Sequence, residues 1–195
     1  MQEGMKPEDA MKELVEGNKR FVAGKQKFPN TNAKRRTEVA KGQHPFAIIV
    51  GCSDSRVPPE VLFDRGLGDL FIIRTAGNVV DDVAIGSIEY AAEHLGVQLL
   101  VVLGHSKCGA VDATMKGGEA PGHIGSIVQK IKLAVDKVKG KPGDAWMNCV
   151  QANVEKIVEE LKGSKPILHE LEEEGKLHVV GAIYCVDSGG VLFMK

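Results

Sequence analysis

The hydrophobic rhythm of the chain changes twice along its length. Over residues 7–23 the positions Ala10, Met11, Leu14, Val15, Asn18, Phe21 and Val22 follow the helical repeat and predict an amphipathic helix. Pro7 suits its first turn and Gly24 its stop. From Lys25 to Gln43 the chain is polar and basic with no period, which predicts an extended arm. An arm that long needs a surface to lie on, and a partner subunit is the candidate. Then come "FAIIV" (46–50), "DLFIIR" (69–74) and "QLLVVLG" (98–104). Apolar runs without alternation are strands covered on both faces, as in a parallel sheet.

Between the second and third runs, "DDVAIGSIEYAAEHLG" (81–96) has a helical period and a closing glycine. Residues 123–138, 145–162 and 164–174 predict further helices, with Ser164 as an N-cap before Pro166. "KLHVVGAIYCV" (176–186), the turn "DSGG" and "VLFM" predict a last strand and a hairpin. Strands alternating with helices give an α/β fold. The pattern predicts a mostly parallel sheet, a closing hairpin strand and an N-terminal helical arm.

Composition narrows the possibilities mainly by exclusion. A chain of 195 residues suits one domain spanning 1–195. A formal net charge of −1 gives no global field for nucleic acid or a membrane surface. No apolar run is long enough for a bilayer, and "MQEGMKPEDAMKELVEG" has no signal-peptide core, so a cytoplasmic location is expected. Four cysteines are too few for a disulfide scaffold and read as thiols or metal ligands.

Two short stretches carry the candidate chemistry. "GCSDSR" (51–56) ends the first predicted strand, and "GHSKCG" (104–109) ends the third. In open α/β sheets, ligands bind beyond the carboxyl ends of strands where the order reverses. With the first and third strands adjacent, Cys52 would face His105 and Cys108 across that crevice. Two thiolates and one imidazole suit Zn²⁺, and three protein ligands leave one tetrahedral position open, as in catalytic sites. Cys149 and Cys185 fall in a predicted helix and strand and read as packing residues. The chain has no Cys-x-x-Cys, which argues against a redox role.

The paired motifs "CSDSR" and "GHSKCG" resemble those of the β-class carbonic anhydrases, in their plant-like branch. The resemblance runs from the N-terminal helix to the last hairpin, and with it goes an expected Rossmann-like α/β fold: a mostly parallel sheet of order 2-1-3-4 with an antiparallel edge hairpin strand, flanked by helices. It implies one Zn²⁺ per subunit on Cys52, His105 and Cys108, and reversible hydration of CO₂ to bicarbonate and a proton. Asp54 and Arg56 would be the catalytic dyad. Asp54 would accept a hydrogen bond from hydroxide made at the metal, and Arg56 would hold Asp54 ionised. Two thiolates cancel the metal's charge, so acidification of water should be weaker than with neutral imidazoles. Gly109 would offer its backbone N–H near the substrate. Gln43, Phe71 and Tyr90 match pocket-lining positions, and Val57, Phe71 and Tyr90 fit an apolar pocket for an uncharged gas. His44 and His123 are candidate proton shuttles.

Ile49 stands where another branch of the family carries a tryptophan of a regulatory bicarbonate pocket, so no bicarbonate-induced closed state of that kind is expected. The implied assembly is a homodimer, or a dimer of dimers, in which each subunit helps build the other's pocket. Two alternatives stay open: hydrolysis of CS₂ or COS on the same zinc site, and a non-catalytic zinc-binding regulatory module. The second predicts a closed metal site or a missing dyad, and both Asp54 and Arg56 are present.

Overall fold

The computed structural model describes residues 4–194. The apolar runs form β1 (Ala47–Cys52), β2 (Leu70–Thr75) and β3 (Leu99–His105), with β1 parallel to both of the others. Strand β4 (His178–Tyr184) lies parallel on β3, and the short β5 (Val191–Phe193) pairs antiparallel with β4. The order is β2-β1-β3-β4-β5, the expected 2-1-3-4 with β5 at the edge. Every residue of β1 and β3 is buried, whereas β2 at the sheet edge is mostly half-buried. That difference explains why the first and third runs are purely apolar and the second ends in Arg74.

Alternate side chains of a strand face opposite sides of a sheet. Ala47, Ile49, Val101 and Leu103 meet Ala10 and Leu14 of α1 (Pro7–Val22) on one side. Ile48, Val50, Leu100 and Val102 face the other way. They pack on α4 (Asp82–Glu89), α7 (Ala145–Lys162) and α8 (Ile167–Glu173) through Ile88, Val154, Ile157, Leu161 and Leu168. Helix α7 comes very close to the sheet. A Cβ on Gly104 would lie 2.5 Å from Val154, and one on Gly181 would lie 2.8 Å from it. A third apolar cluster joins Cys52 and Cys108 to α5 (Gly109–Lys116), α6 (Ile124–Val138) and α7.

Several elements differ from the sequence expectation. The arm is not wholly extended: Ala33–Val39 form α2, capped by Asn32, whose side chain accepts the Arg35 N–H. No residue of α2 is buried, so no apolar stripe marks it. The arm is also fastened to its own protomer. Asp64 accepts the Lys27 and Phe28 N–H groups, and Asn30 donates to Asp69 at 2.8 Å. The helix α4 ends at Glu89 and continues as a wider π-turn over Tyr90–His94. The short α3 (Pro59–Leu62) and the helix α5 carry no pattern that singles them out.

Ser164 is not the cap of α8, which starts at Ile167 with no side-chain cap. A residue before proline is pushed out of the helical region, so the start moves past Pro166. The Ser164 carbonyl instead accepts the His169 N–H at 3.0 Å. Cys185 lies one residue beyond β4, in the hairpin. Among the described residues, no helix is long and apolar enough to cross a membrane.

Candidate metal centre

The site is a product of strand order. Cys52 ends β1 and His105 ends β3, and these strands are neighbours with Gly51 opposite Leu103. Both side chains therefore reach the same carboxyl edge, where the chain order reverses. Lys107 adopts a left-handed backbone (φ 57°), which turns the chain so that Cys108 returns at the start of α5. The three potential ligand atoms, two sulfurs and one ring nitrogen, all lie within 4.8 Å of one another, and all three residues are buried.

The imidazole of the cluster is set up to accept a cation. His105 Nδ1 lies 2.9 Å from the Ser106 carbonyl and donates its hydrogen there. That tautomer leaves a lone pair on Nε2, which is buried with no hydrogen-bond partner. An orphaned polar atom in a wholly buried residue carries a desolvation cost that a bound cation would offset. The thiols show the same pressure. Cys52 is held well below the ordinary thiol range, chiefly by the neighbouring Cys108 thiol and then by His105 and the Asp54 and Gly77 N–H groups, against its burial. Cys108 is pushed up, because it shares its proton with Cys52 and because it is buried. Without a cation the pair carries one charge; a dication lets both sulfurs ionise. The set of two sulfurs and one nitrogen fits Zn²⁺ in donor type and in leaving a fourth position free.

Asp54 stands beside this cluster. Its Oδ2 is 4.0 Å from His105 Nε2. Arg56 grips both carboxylate oxygens, with Nε donating to Oδ1 at 3.0 Å and Nη2 to Oδ2 at 2.7 Å. The Arg56 backbone N–H adds a third bond to Oδ1 at 2.9 Å. The Arg56 guanidinium thereby holds the Asp54 carboxyl far below the usual carboxylate range, outweighing its burial. Arg56 is itself placed by donating to the Lys107 carbonyl at 3.1 Å, which ties the two motif loops together.

Other predicted residues sit at varied distances from this centre. Val57 is fully buried, and its N–H donates to the Asp54 carbonyl at 3.0 Å. Gly109 opens α5 on the exposed side, where a Cβ would meet nothing within 4 Å. Phe71 and Tyr90 meet each other, with ring centroids 6.5 Å apart. Phe71 is opposite Ile48, whereas Cys52 is opposite Thr75. The Phe71–Tyr90 pair thus lies about 13 Å down the strand from the cysteine, at about 3.3 Å per residue. Gln43, His44 and His123 are exposed. Cys149 is a buried residue of α7 in the cluster with Cys52 and Cys108, and Cys185 is half-buried.

Three contributors escape a reading of the sequence. Arg74 donates to the Cys52 carbonyl at 2.9 Å and the Asp54 carbonyl at 2.6 Å. Trp146 donates its indole N–H to the Cys108 carbonyl at 3.2 Å. Asn153 donates to the Gly77 carbonyl at 2.9 Å. Each acts on a backbone group remote in sequence, so no local motif announces it.

The carbonic anhydrase family profile matches residues 47–191. Carbonic anhydrase 2 of Mycobacterium tuberculosis is 41% identical over 187 residues, covering 94% of this chain and 90% of its own. A tetrameric β-carbonic anhydrase of Sordaria macrospora superposes with a TM-score of 0.74 at 28% identity, over 82% of this chain and 85% of that one. The Coccomyxa β-carbonic anhydrase solved with acetazolamide gives 0.75 at 32% identity, over 81% and 75%.

Proposed function

The chain belongs to the β-class carbonic anhydrase family, and from that premise we propose that it hydrates CO₂ reversibly to bicarbonate and a proton in the cytoplasm. Cys52, His105 and Cys108 would hold one Zn²⁺ per chain. Zinc held there supplies a hydroxide nucleophile at neutral pH, where bulk water holds almost none.

The residues around that position divide the remaining work. Asp54, kept ionised by Arg56, can only accept hydrogen bonds. An O–H placed beside it must therefore point its hydrogen at the carboxylate and its lone pair elsewhere, toward CO₂. Arg56 fixes the orientation through a bidentate pair, which is geometrically specific as well as strong. Val57, buried beneath the loop, backs the apolar side of the site. The Gly109 N–H belongs to the first turn of α5, where amides lack an intrahelical acceptor, and can donate to a substrate oxygen.

Phe71, Tyr90 and Gln43 are assigned to the pocket of a neighbouring subunit in a homodimer or a dimer of dimers. Their separation from the cysteines within one protomer supports this, as does the tetrameric state of the Sordaria relative. His44 and His123 are exposed, as a proton shuttle to solvent requires.

The observation that carries the proposal is the unpartnered His105 Nε2 between two cysteines and a locked carboxylate. Metal analysis with stopped-flow CO₂ hydration tests it. One zinc per chain is expected, with activity lost on chelation and restored by zinc. A zinc-loaded protein that fails to hydrate CO₂ at alkaline pH would overturn it.

A further inference from the structure

Asn153 is 1% exposed and sits on the buried face of α7 among Val150, Ala152, Val154 and Ile157. Its Nδ2 donates to the Gly77 carbonyl, and its Oδ1 is buried with no partner. A half-satisfied amide in an apolar stripe is a poor packing choice, and an aliphatic side chain there would leave no polar atom unpaired. Packing therefore does not account for it; its one bond does.

That bond leads to the metal centre. Gly77 follows β2 in a left-handed conformation (φ 69°), and its N–H donates to Cys52 Sγ at 3.3 Å. A Cβ at Gly77 would lie 2.7 Å from the Ile131 side chain and 3.1 Å from that of Ala110, so the turn has little room to be built otherwise. Both polar groups of this residue are committed, the N–H to the sulfur and the C=O to Asn153. A hydrogen bond to a thiolate draws charge away from the sulfur, and such outer contacts tune a metal through its ligands.

We propose that Asn153 is a positioning residue for the metal centre: through Gly77 it holds an N–H on the Cys52 sulfur and so limits the charge that this thiolate gives to the metal. The inference rests on the assignment of Cys52 as a ligand. It addresses the weakness of a two-thiolate set, whose negative charge blunts the Lewis acidity of the ion.

Cobalt-loaded protein supplies a readout independent of turnover. In Asn153→Leu the Cys52 sulfur becomes a stronger donor, so the sulfur-to-cobalt charge-transfer band moves to lower energy. Metal affinity, measured by chelator competition, falls roughly 10- to 100-fold because the sulfur is no longer held in place, which outweighs its stronger donation and is the usual cost of losing an outer contact. An unchanged band and an unchanged affinity would overturn the proposal. Absence of any sulfur-to-cobalt band in the unmutated protein would overturn the ligand assignment itself, and the inference with it. A measurement on unmutated protein covers the case of a variant that does not fold. With ¹¹³Cd bound, the Gly77 amide proton should show scalar coupling to the metal through Cys52 Sγ, and no coupling would count against the proposal.

Discussion

Two of the Asp–Arg pairs among the described residues, Arg20–Asp64 and Arg56–Asp54, do different work. Asp64 is wholly buried and accepts from Arg20 Nε at 2.5 Å and from the N–H groups of Lys27 and Phe28. Every strong contact of that carboxylate goes to the arm or to α1, and the pair closes on itself. Asp54 is also bound on both oxygens, but it keeps 18% of its side chain accessible. It stands 4.0 Å from a buried ring nitrogen that has no partner. A satisfied buried pair is scaffold, and a locked carboxylate facing an unsatisfied group is poised for chemistry. Distances within the pairs do not separate these roles; what lies beyond each carboxylate does.

Substitutions at either site should widen this contrast. The largest effect is expected from Cys108→Ala, which removes a proposed ligand: bound zinc is lost and CO₂ hydration falls to the uncatalysed rate, as metal analysis and stopped-flow would record. Asp64→Asn comes next and acts on stability instead. Breaking a buried ion pair costs about 3 kcal/mol, readable as a lower denaturant midpoint, while the folded fraction keeps its kcat/KM.

The pH dependence of stability follows from the same residue. Burial pushes the Asp64 carboxyl up, but Arg20 and the Lys27 and Phe28 amides outweigh it, so the folded value lies below the ordinary one. Its contribution is complete above the unfolded value of about 4 and is lost as pH falls through the folded one. Unfolding of the unmutated protein should therefore ease below about pH 4, and Asp64→Asn should flatten that acid limb. The smallest effect belongs to Arg35→Ala. Its 3.4 Å contact to Asp69 is long, and Asp69 keeps its bonds from Asn30 and the Gly66 N–H, so the loss should be about 1 kcal/mol.

The parts legible in the sequence share a physical reason. β1 and β3 are buried on both faces, and that burial writes itself as unbroken apolar runs. The candidate metal ligands and the Asp54–Arg56 pair are local motifs at strand ends, so strand order alone brings them together. Helix α2 was illegible because none of its residues is buried and only the Asn32 cap marks its start. Asn153 reads as one polar residue in a helix; its role depends on a carbonyl 76 positions away. Arg74 reads as the polar end of an edge strand, and its two acceptors are main-chain oxygens of another strand and loop. Phe71 and Tyr90 were legible as a pair of candidates, and the register shows that a single protomer keeps them from the cysteines.

The most direct test of the contrast is Asp54→Ala, with zinc content, unfolding midpoint and kcat/KM for CO₂ hydration measured on the same preparation. The account predicts one zinc per chain, a midpoint close to that of the unmutated protein, and kcat/KM lowered about a hundredfold, as when an oriented electrostatic partner is removed. Full activity in the zinc-loaded variant would contradict it.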